Sequence, residues 1–155
     1  GNFSLSIIDK VKKLYLFEPD NDWVVALNYT FEPYRDKVTI INKCISNYIN
    51  SNTTMIDTVI DDEIDFIKMD VEGEEYCALL GAKEVISKSN NVECVICTYH
   101  QEFAYEGIRS VLERMNFEVE HSNGYMWYPS DYNPMRPPVL RRGLIRGKKE
   151  GTYEN

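Results

Sequence analysis

DFIKMDVEGEEYCALLGAKEVI, residues 65–86, decides how the chain reads. Phe66, Ile67 and Met69 make a short β-type run that ends against Asp70. Glu72, Glu74 and Glu75 follow around Gly73, and Tyr76, Leu79, Leu80 and Ile86 then recur at helical spacing. A strand that passes through a glycine turn into an amphipathic helix is a βα unit. Carboxylates in the first helical turn gain a few tenths to about 1 kcal/mol from the helix dipole. Gly73, without a side chain, permits a tight turn or the close approach of a ligand. The segment is half helix start and half candidate site.

Working outward, the same alternation continues on both sides. Phe3, Ile7, Ile8 and Val11 have helical spacing, and KLYLF, 13–17, follows as a strand. Asn21 or Asp22 is placed to cap a helix carrying Trp23, Val24, Leu27 and Phe31, which Pro33 ends. VTIINKCIS, 38–46, is rich in β-branched residues and reads as a second strand. Residues 47–64 carry only a short apolar element around Met55 to Ile60. Downstream, VECVICTY, 92–99, is a strand, and Ile108, Val111, Leu112 and Met115 mark a helix. FEVEHS, a turn at Gly124, YMWY and VLRRGLIRG, 139–147, then succeed one another without a helix, as an antiparallel pair does. The expected fold is α/β, an open, mostly parallel sheet covered by helices on both faces and closed by an antiparallel hairpin. One domain is expected over 1–149, with a frayed tail at 150–155.

Charge narrows the partners. With 17 Lys and Arg against 25 Asp and Glu, the net charge is −8, so nucleic acid is not an expected partner. Residues 132–149 run against that balance, with six basic residues and no acid. Apolar runs fall far short of the ~20 residues of a membrane span, so no membrane association is expected. Cys94 and Cys97 form a CxxC, but on a strand that odd spacing turns the thiols to opposite faces. They are read as buried structural thiols, which suits a soluble, cytoplasmic protein, and no metal ligation is expected.

In open α/β sheets, ligands bind beyond the carboxyl ends of the strands, and two strands here end in acid. Glu18, followed by Pro19, stands where a carboxylate can accept hydrogen bonds from both hydroxyls of a ribose; it also fits a solvated strand end or a helix cap. Asp70 poses the same choice. His100 closes the VECVICTY strand at the same rim, and an imidazole there suits a general base. His121 reads as structural. GYMWYPSDY, 124–132, offers aromatic surface beside the basic stretch, either for hairpin packing or for sugar stacking.

LYLFEPD, VTIINKCISN and IDFIKMDVEGEEYCALLGAKEVI, in that order and spacing, resemble the FkbM-type methyltransferases, with KMDVEGEE and LLGA as the specific part. The resemblance implies a Rossmann-like class I methyltransferase, a three-layer sandwich using S-adenosylmethionine, commonly for O-methylation of sugars or natural products. It implies that Glu18, with Pro19 beside it, holds the cofactor's ribose, and that Cys44, Ile45 and Ser46 flank its adenine. Asp70 and Glu72 fall near the methyl group and the acceptor. A family member opens with a strand and a glycine-rich turn, of which only Gly1 corresponds here, so the first strand is expected to be missing. Such a chain is expected to close the gap, to pair as a homodimer, or to leave an edge that invites association. The rival expectation is an inactive, methyltransferase-like binding or structural module. A nicotinamide enzyme would need GxGxxG, which the sequence lacks.

Overall fold

Val92–Cys97 is the strand around which the rest assembles, because Val92, Cys94 and Ile96 on one of its faces are all buried. The computed structural model describes residues 1–127 and 139–151. Its strands are β1 (Leu14–Phe17), β2 (Val38–Ile41), β3 (Cys44–Ile45), β4 (Thr53–Thr54), β5 (Phe66–Met69), β6 (Val92–Cys97), β7 (Glu118–His121), β8 (Met126–Trp127), β9 (Leu140–Arg141) and β10 (Leu144–Lys149). The helices are α1 (Asn2–Ile7), α2 (Asn21–Thr30), α3 (Glu75–Leu80), α4 (Lys83–Lys88) and α5 (Ala104–Arg114).

Four strands form the central sheet in the order β5-β6-β10-β7. β5 runs parallel to β6, with Met69 opposite Ile96, and β10 is antiparallel to both β6 and β7. This is the expected mixed sheet with an antiparallel end. β10 fits between its neighbours because Gly147 has no side chain: a Cβ there would lie 2.8 Å from the Cys94 sulfur and 3.0 Å from the Phe117 ring. β1 and β2 form a separate parallel pair, and β3 with β4 another. Tyr15 and Phe17 of β1 still pack against the main core, whose centre is Met69, Leu79, Ile86, Ile96, Ile108, Leu112 and Ile145.

Three local expectations are corrected. Asp20, not Asn21 or Asp22, caps α2: its side chain accepts the N–H groups of Asp22 and Trp23. Trp23 is exposed rather than packed, and no residue of α2 is buried. The helix expected through 76–86 is two helices broken at Gly81, where a Cβ would sit only 2.1 Å from the Ser46 carbonyl oxygen. The backbone of the segment after β3 presses on that position, and only glycine admits it.

α5 follows its expected pattern, with Ile108, Val111 and Leu112 buried against the sheet and α3. It ends at Arg114 and is followed by Asn116, whose φ of 64° is the left-handed conformation usual after a helix. Gly151 is tied by its N–H to Asn91, while residues 128–138, which include 128–132 of the aromatic stretch, and residues 152–155 lie outside the described residues. Among the described residues no helix is long and apolar enough to cross a membrane.

Candidate active site

The register of the central sheet builds the site. Met69 pairs with Ile96, so the next residues, Asp70 and Cys97, leave the two strands side by side. The chain beyond β6 then brings Tyr99 and His100 over the acidic turn that follows β5. Tyr99 donates its hydroxyl to Asp70 Oδ1 at 3.1 Å, and its ring lies against that of His100 with centroids 4.2 Å apart.

A buried acid holds the turn itself. Glu75, the first residue of α3, is 1% exposed and turns its carboxylate back under the segment 71–73. Oε1 accepts the N–H of Val71 at 2.9 Å and Oε2 that of Gly73 at 3.1 Å. Between these two anchors lies Glu72, a non-glycine residue at φ 53°, followed by Gly73 at φ 103°. Gln101 completes the clamp by donating its amide to the Gly73 carbonyl at 2.8 Å. Glu74 is drawn toward β3, where the Ser46 hydroxyl meets its carboxylate at 3.4 Å.

His100 lies between three carboxylates with only 5% of its side chain exposed. Nδ1 is 2.7 Å from Glu75 Oε1, although that oxygen lies too far off the N–H direction to make a proper hydrogen bond. Nε2, on the other side of the ring, is 3.7 Å from Asp70 Oδ1 and 3.6 Å from Glu72 Oε2. Asp70 is half exposed and also faces Lys68 Nζ at 3.6 Å. Burial pushes its carboxyl up, but the hydrogen bonds of Cys97 and Tyr99, with the charges of Lys68 and His100, outweigh burial and hold it below the usual range. Burial, then Asp70, pushes the Cys97 thiol up to about 11, and burial takes Cys94 to about 12. All four cysteines are free thiols. A cleft of about 410 Å³ opens on the far side of Cys97 and Tyr99, walled also by Asn123, Tyr125 and Met126.

Of the residues singled out from the sequence, Asp70, Glu72 and His100 come together. Ser46 joins them indirectly through Glu74. Cys44 and Ile45 form β3, half-buried and buried respectively. Glu18 stands half-buried at the end of β1, its Oε1 accepting the Asp20 N–H at 3.0 Å, with Pro19 exposed beside it. Among the described residues no hydrogen bond or ion pair joins Glu18 to the Asp70 cluster. Gly1 precedes α1, where a Cβ would lie 3.1 Å from Leu27. His121 is exposed on β7 and packs edge-on to Tyr105. The basic stretch is partly structural: Lys149 donates to the carbonyls of Ile86, Ser87 and Ser89 at the C-terminal end of α4, and Arg141 to that of Tyr99.

Glu75 is the residue the sequence reading missed. Counted as a helix-start acid, it also lies three, four and seven residues before Ala78, Leu79 and Ala82, all fully buried. An acid in register with the apolar face of its helix was the signal that could have found it.

Comparison with known proteins adds the following. The sequence model of the Methyltransferase FkbM domain matches residues 37–119, which include the acidic turn and His100 but not Glu18. The fold resembles that of the methyltransferase FkbM of Methylobacillus flagellatus KT, with a TM-score of 0.71 and 22% identity over 95% of this chain and 40% of that one. It resembles precorrin 8w decarboxylase of Methanobacterium thermoautotrophicum, with a TM-score of 0.60 and 13% identity, covering 96% and 75%. A SAM-dependent O-methyltransferase of Thermotoga maritima matches with a TM-score of 0.51 and 16% identity, covering 92% and 52%. The chain thus spans about half or less of the length of two of these three proteins. No curated protein matches the sequence.

Proposed function

Since its matched segment covers more than half of its length, this chain belongs to the FkbM methyltransferase domain family, and we propose that it takes part in S-adenosylmethionine-dependent methyl transfer to a hydroxyl of a small-molecule or glycan acceptor. Its fold is the α/β fold of the class I methyltransferases. The observation that carries the proposal is the convergence of Asp70, Glu72 and His100 at the carboxyl ends of adjacent strands, on a turn locked from beneath by Glu75. Rigid placement is what this chemistry asks of a protein, because the acceptor oxygen must be held about 3–3.5 Å from the methyl carbon.

The residues present fit the cofactor. Glu18 is half-buried at a strand end, and with one lone pair engaged by Asp20 its carboxylate has others for a ribose diol. Cys44, Ile45 and Ser46 supply a short, largely buried edge for an adenine. When bound, S-adenosylmethionine supplies a methyl group on a sulfonium that is already a good leaving group. The acceptor hydroxyl would be held in line with that methyl group, and its proton would pass to the protein as the oxygen is methylated. On the protein side, His100 Nε2 faces Asp70 and Glu72, and these are the groups placed to act on the acceptor's proton. The cleft beside Tyr99, with Tyr125 on its wall, gives a sugar ring an aromatic surface to stack on.

Calorimetry with S-adenosylmethionine and its demethylated product tests the reading on the full chain. Micromolar binding that falls at least about tenfold in Glu18→Ala is expected, a loss of about 1.4 kcal/mol. No heat at millimolar ligand refutes it and favours the binding-module alternative. One feature speaks for that alternative: Trp23, Val25 and Tyr29 all lie exposed on α2.

A further inference from the structure

The geometry points to a divalent-cation site formed by His100 Nε2, Asp70 and Glu72, with Glu75 as the carboxylate behind the imidazole. This deepens the proposed function by naming what activates the acceptor, and it rests on that reading only for its role in catalysis. The sequence reading assigned no metal here; the distances argue otherwise. Donor atoms of Asp70, Glu75 and His100 all lie within 4.8 Å of one another, a group to which Glu72 is added only by its 3.6 Å approach to Nε2. The gaps from Nε2 to Asp70 and Glu72, 3.7 and 3.6 Å, are too long for N–H···O hydrogen bonds, which run about 2.7–3.2 Å. They are close to the spacing of two ligands on one ion: tetrahedral ligands at about 2.1 Å from a metal stand about 3.4 Å apart.

The second observation is the imidazole. With 5% of its side chain exposed, the ring has no well-directed hydrogen bond at Nδ1 although Glu75 Oε1 lies 2.7 Å away, and such a ring is costly to bury. Ligation of an ion at Nε2 resolves this. It draws the ring toward Asp70, and a small rotation brings Nδ1–H into line with Glu75 Oε1, only 2.7 Å away. A metal-bound histidine regularly gives its other N–H to a carboxylate, and that carboxylate is regularly hydrogen-bonded in turn, as Glu75 is by Val71 and Gly73.

Charge agrees. Three carboxylates surround the ring, and among the described residues Lys68 pairs with Asp70 alone of the three. Glu72, with 87% of its side chain exposed, is free to swing onto an ion from the solvent side, which leaves positions open for an acceptor hydroxyl. Carboxylate oxygens with one imidazole suit Mn²⁺ or Zn²⁺ better than Mg²⁺. An ion in this place lowers the pKa of a bound hydroxyl, so His100 serves as ligand and not as base.

The test uses the metal-stripped full chain, titrated with Mn²⁺ and followed by amide NMR and calorimetry. Signals of residues 70–73 and 99–101 are expected to broaden first, with a dissociation constant below about 100 µM. Asp70→Asn and His100→Gln each weaken binding at least about tenfold, and Glu75→Gln by about 10- to 100-fold, with circular dichroism confirming the fold. Diffuse broadening at millimolar Mn²⁺ overturns the proposal, as does binding unchanged in both Asp70→Asn and His100→Gln. Wild-type broadening decides the matter even if a variant does not fold. Adding S-adenosylmethionine to the same samples separates the two readings. Ion binding without cofactor binding leaves the metal site standing and sinks methyl transfer; the reverse removes the metal and leaves His100 as the base.

Discussion

Replacing Glu75 by Gln tests whether the acidic turn is held from beneath. The wild-type carboxylate accepts two backbone N–H groups and is 1% exposed. A glutamine keeps one acceptor oxygen, but its NH₂ then opposes the other N–H, so one charge-assisted bond is lost, worth about 1.5–3 kcal/mol. Removing a negative charge beside Asp70 and Glu72 works the other way, by well under about 1 kcal/mol because those two neighbours are exposed to solvent screening. Destabilisation wins, at about 2 kcal/mol. With a urea slope of about 2 kcal/mol per molar, the unfolding midpoint falls by about 1 M. Glu72→Gln is the control, because it removes the same charge from an exposed side chain that accepts no backbone hydrogen bond, and its effect stays within about 0.5 kcal/mol. Both proteins are measured metal-free at pH 7. If Glu75→Gln moves the midpoint no further than Glu72→Gln does, the buried acid is not what locks the turn.

Two other outcomes bear on the same structure. Gly81→Ala drives a Cβ into the Ser46 carbonyl at 2.1 Å and forces α3 away from the segment after β3; calorimetry should show a melting temperature lower by at least about 3 °C, and an unchanged value removes the close approach from the account. Asp70, held below the usual carboxylate range, binds its proton more weakly folded than unfolded. Its contribution is therefore present above the unfolded value of about 4 and is lost as pH falls through the lower folded one. Melting temperatures of Asp70→Asn should decline less steeply than wild type below about pH 4, and parallel curves contradict that sign.

Much of the fold was legible because its strongest signals are local. Ile108, Val111 and Leu112 repeat at helical spacing, and that helix is where they put it; the run expected as one strand at 38–46 is two short strands, 38–41 and 44–45, with different partners, and that expected at 92–99 is a strand over 92–97. What the sequence hid depends on distant contacts. The break at Gly81 comes from the Ser46 backbone, thirty-five residues upstream, which no periodicity reports. Trp23 looks like a core residue in isolation and is exposed, because nothing in the chain says which face of α2 is covered. The site divides the same way. Asp70 and His100 were legible as strand ends, since ends of adjacent parallel strands meet. Glu75 was obscured by a competing explanation, because the helix dipole alone accounts for an acid in a first turn.

The same turn shows why stability and site geometry are one question here. A left-handed backbone costs an ordinary side chain about 1–2 kcal/mol, and Glu72 adopts it at φ 53°. The conformation persists because hydrogen bonds to Glu75 fix the residues on both sides, and the Gln101 amide fixes the Gly73 carbonyl. Those restraints exceed what a helix start requires, and their effect is to aim Glu72 across the rim at His100 Nε2, 3.6 Å away. Glu75 meanwhile reaches the opposite nitrogen of the same ring, so one buried carboxylate sets both the direction of Glu72 and the surroundings of His100. Loosening Glu75 therefore releases Glu72 and His100 at once, and no substitution at Glu72 or His100 alone can reproduce that loss.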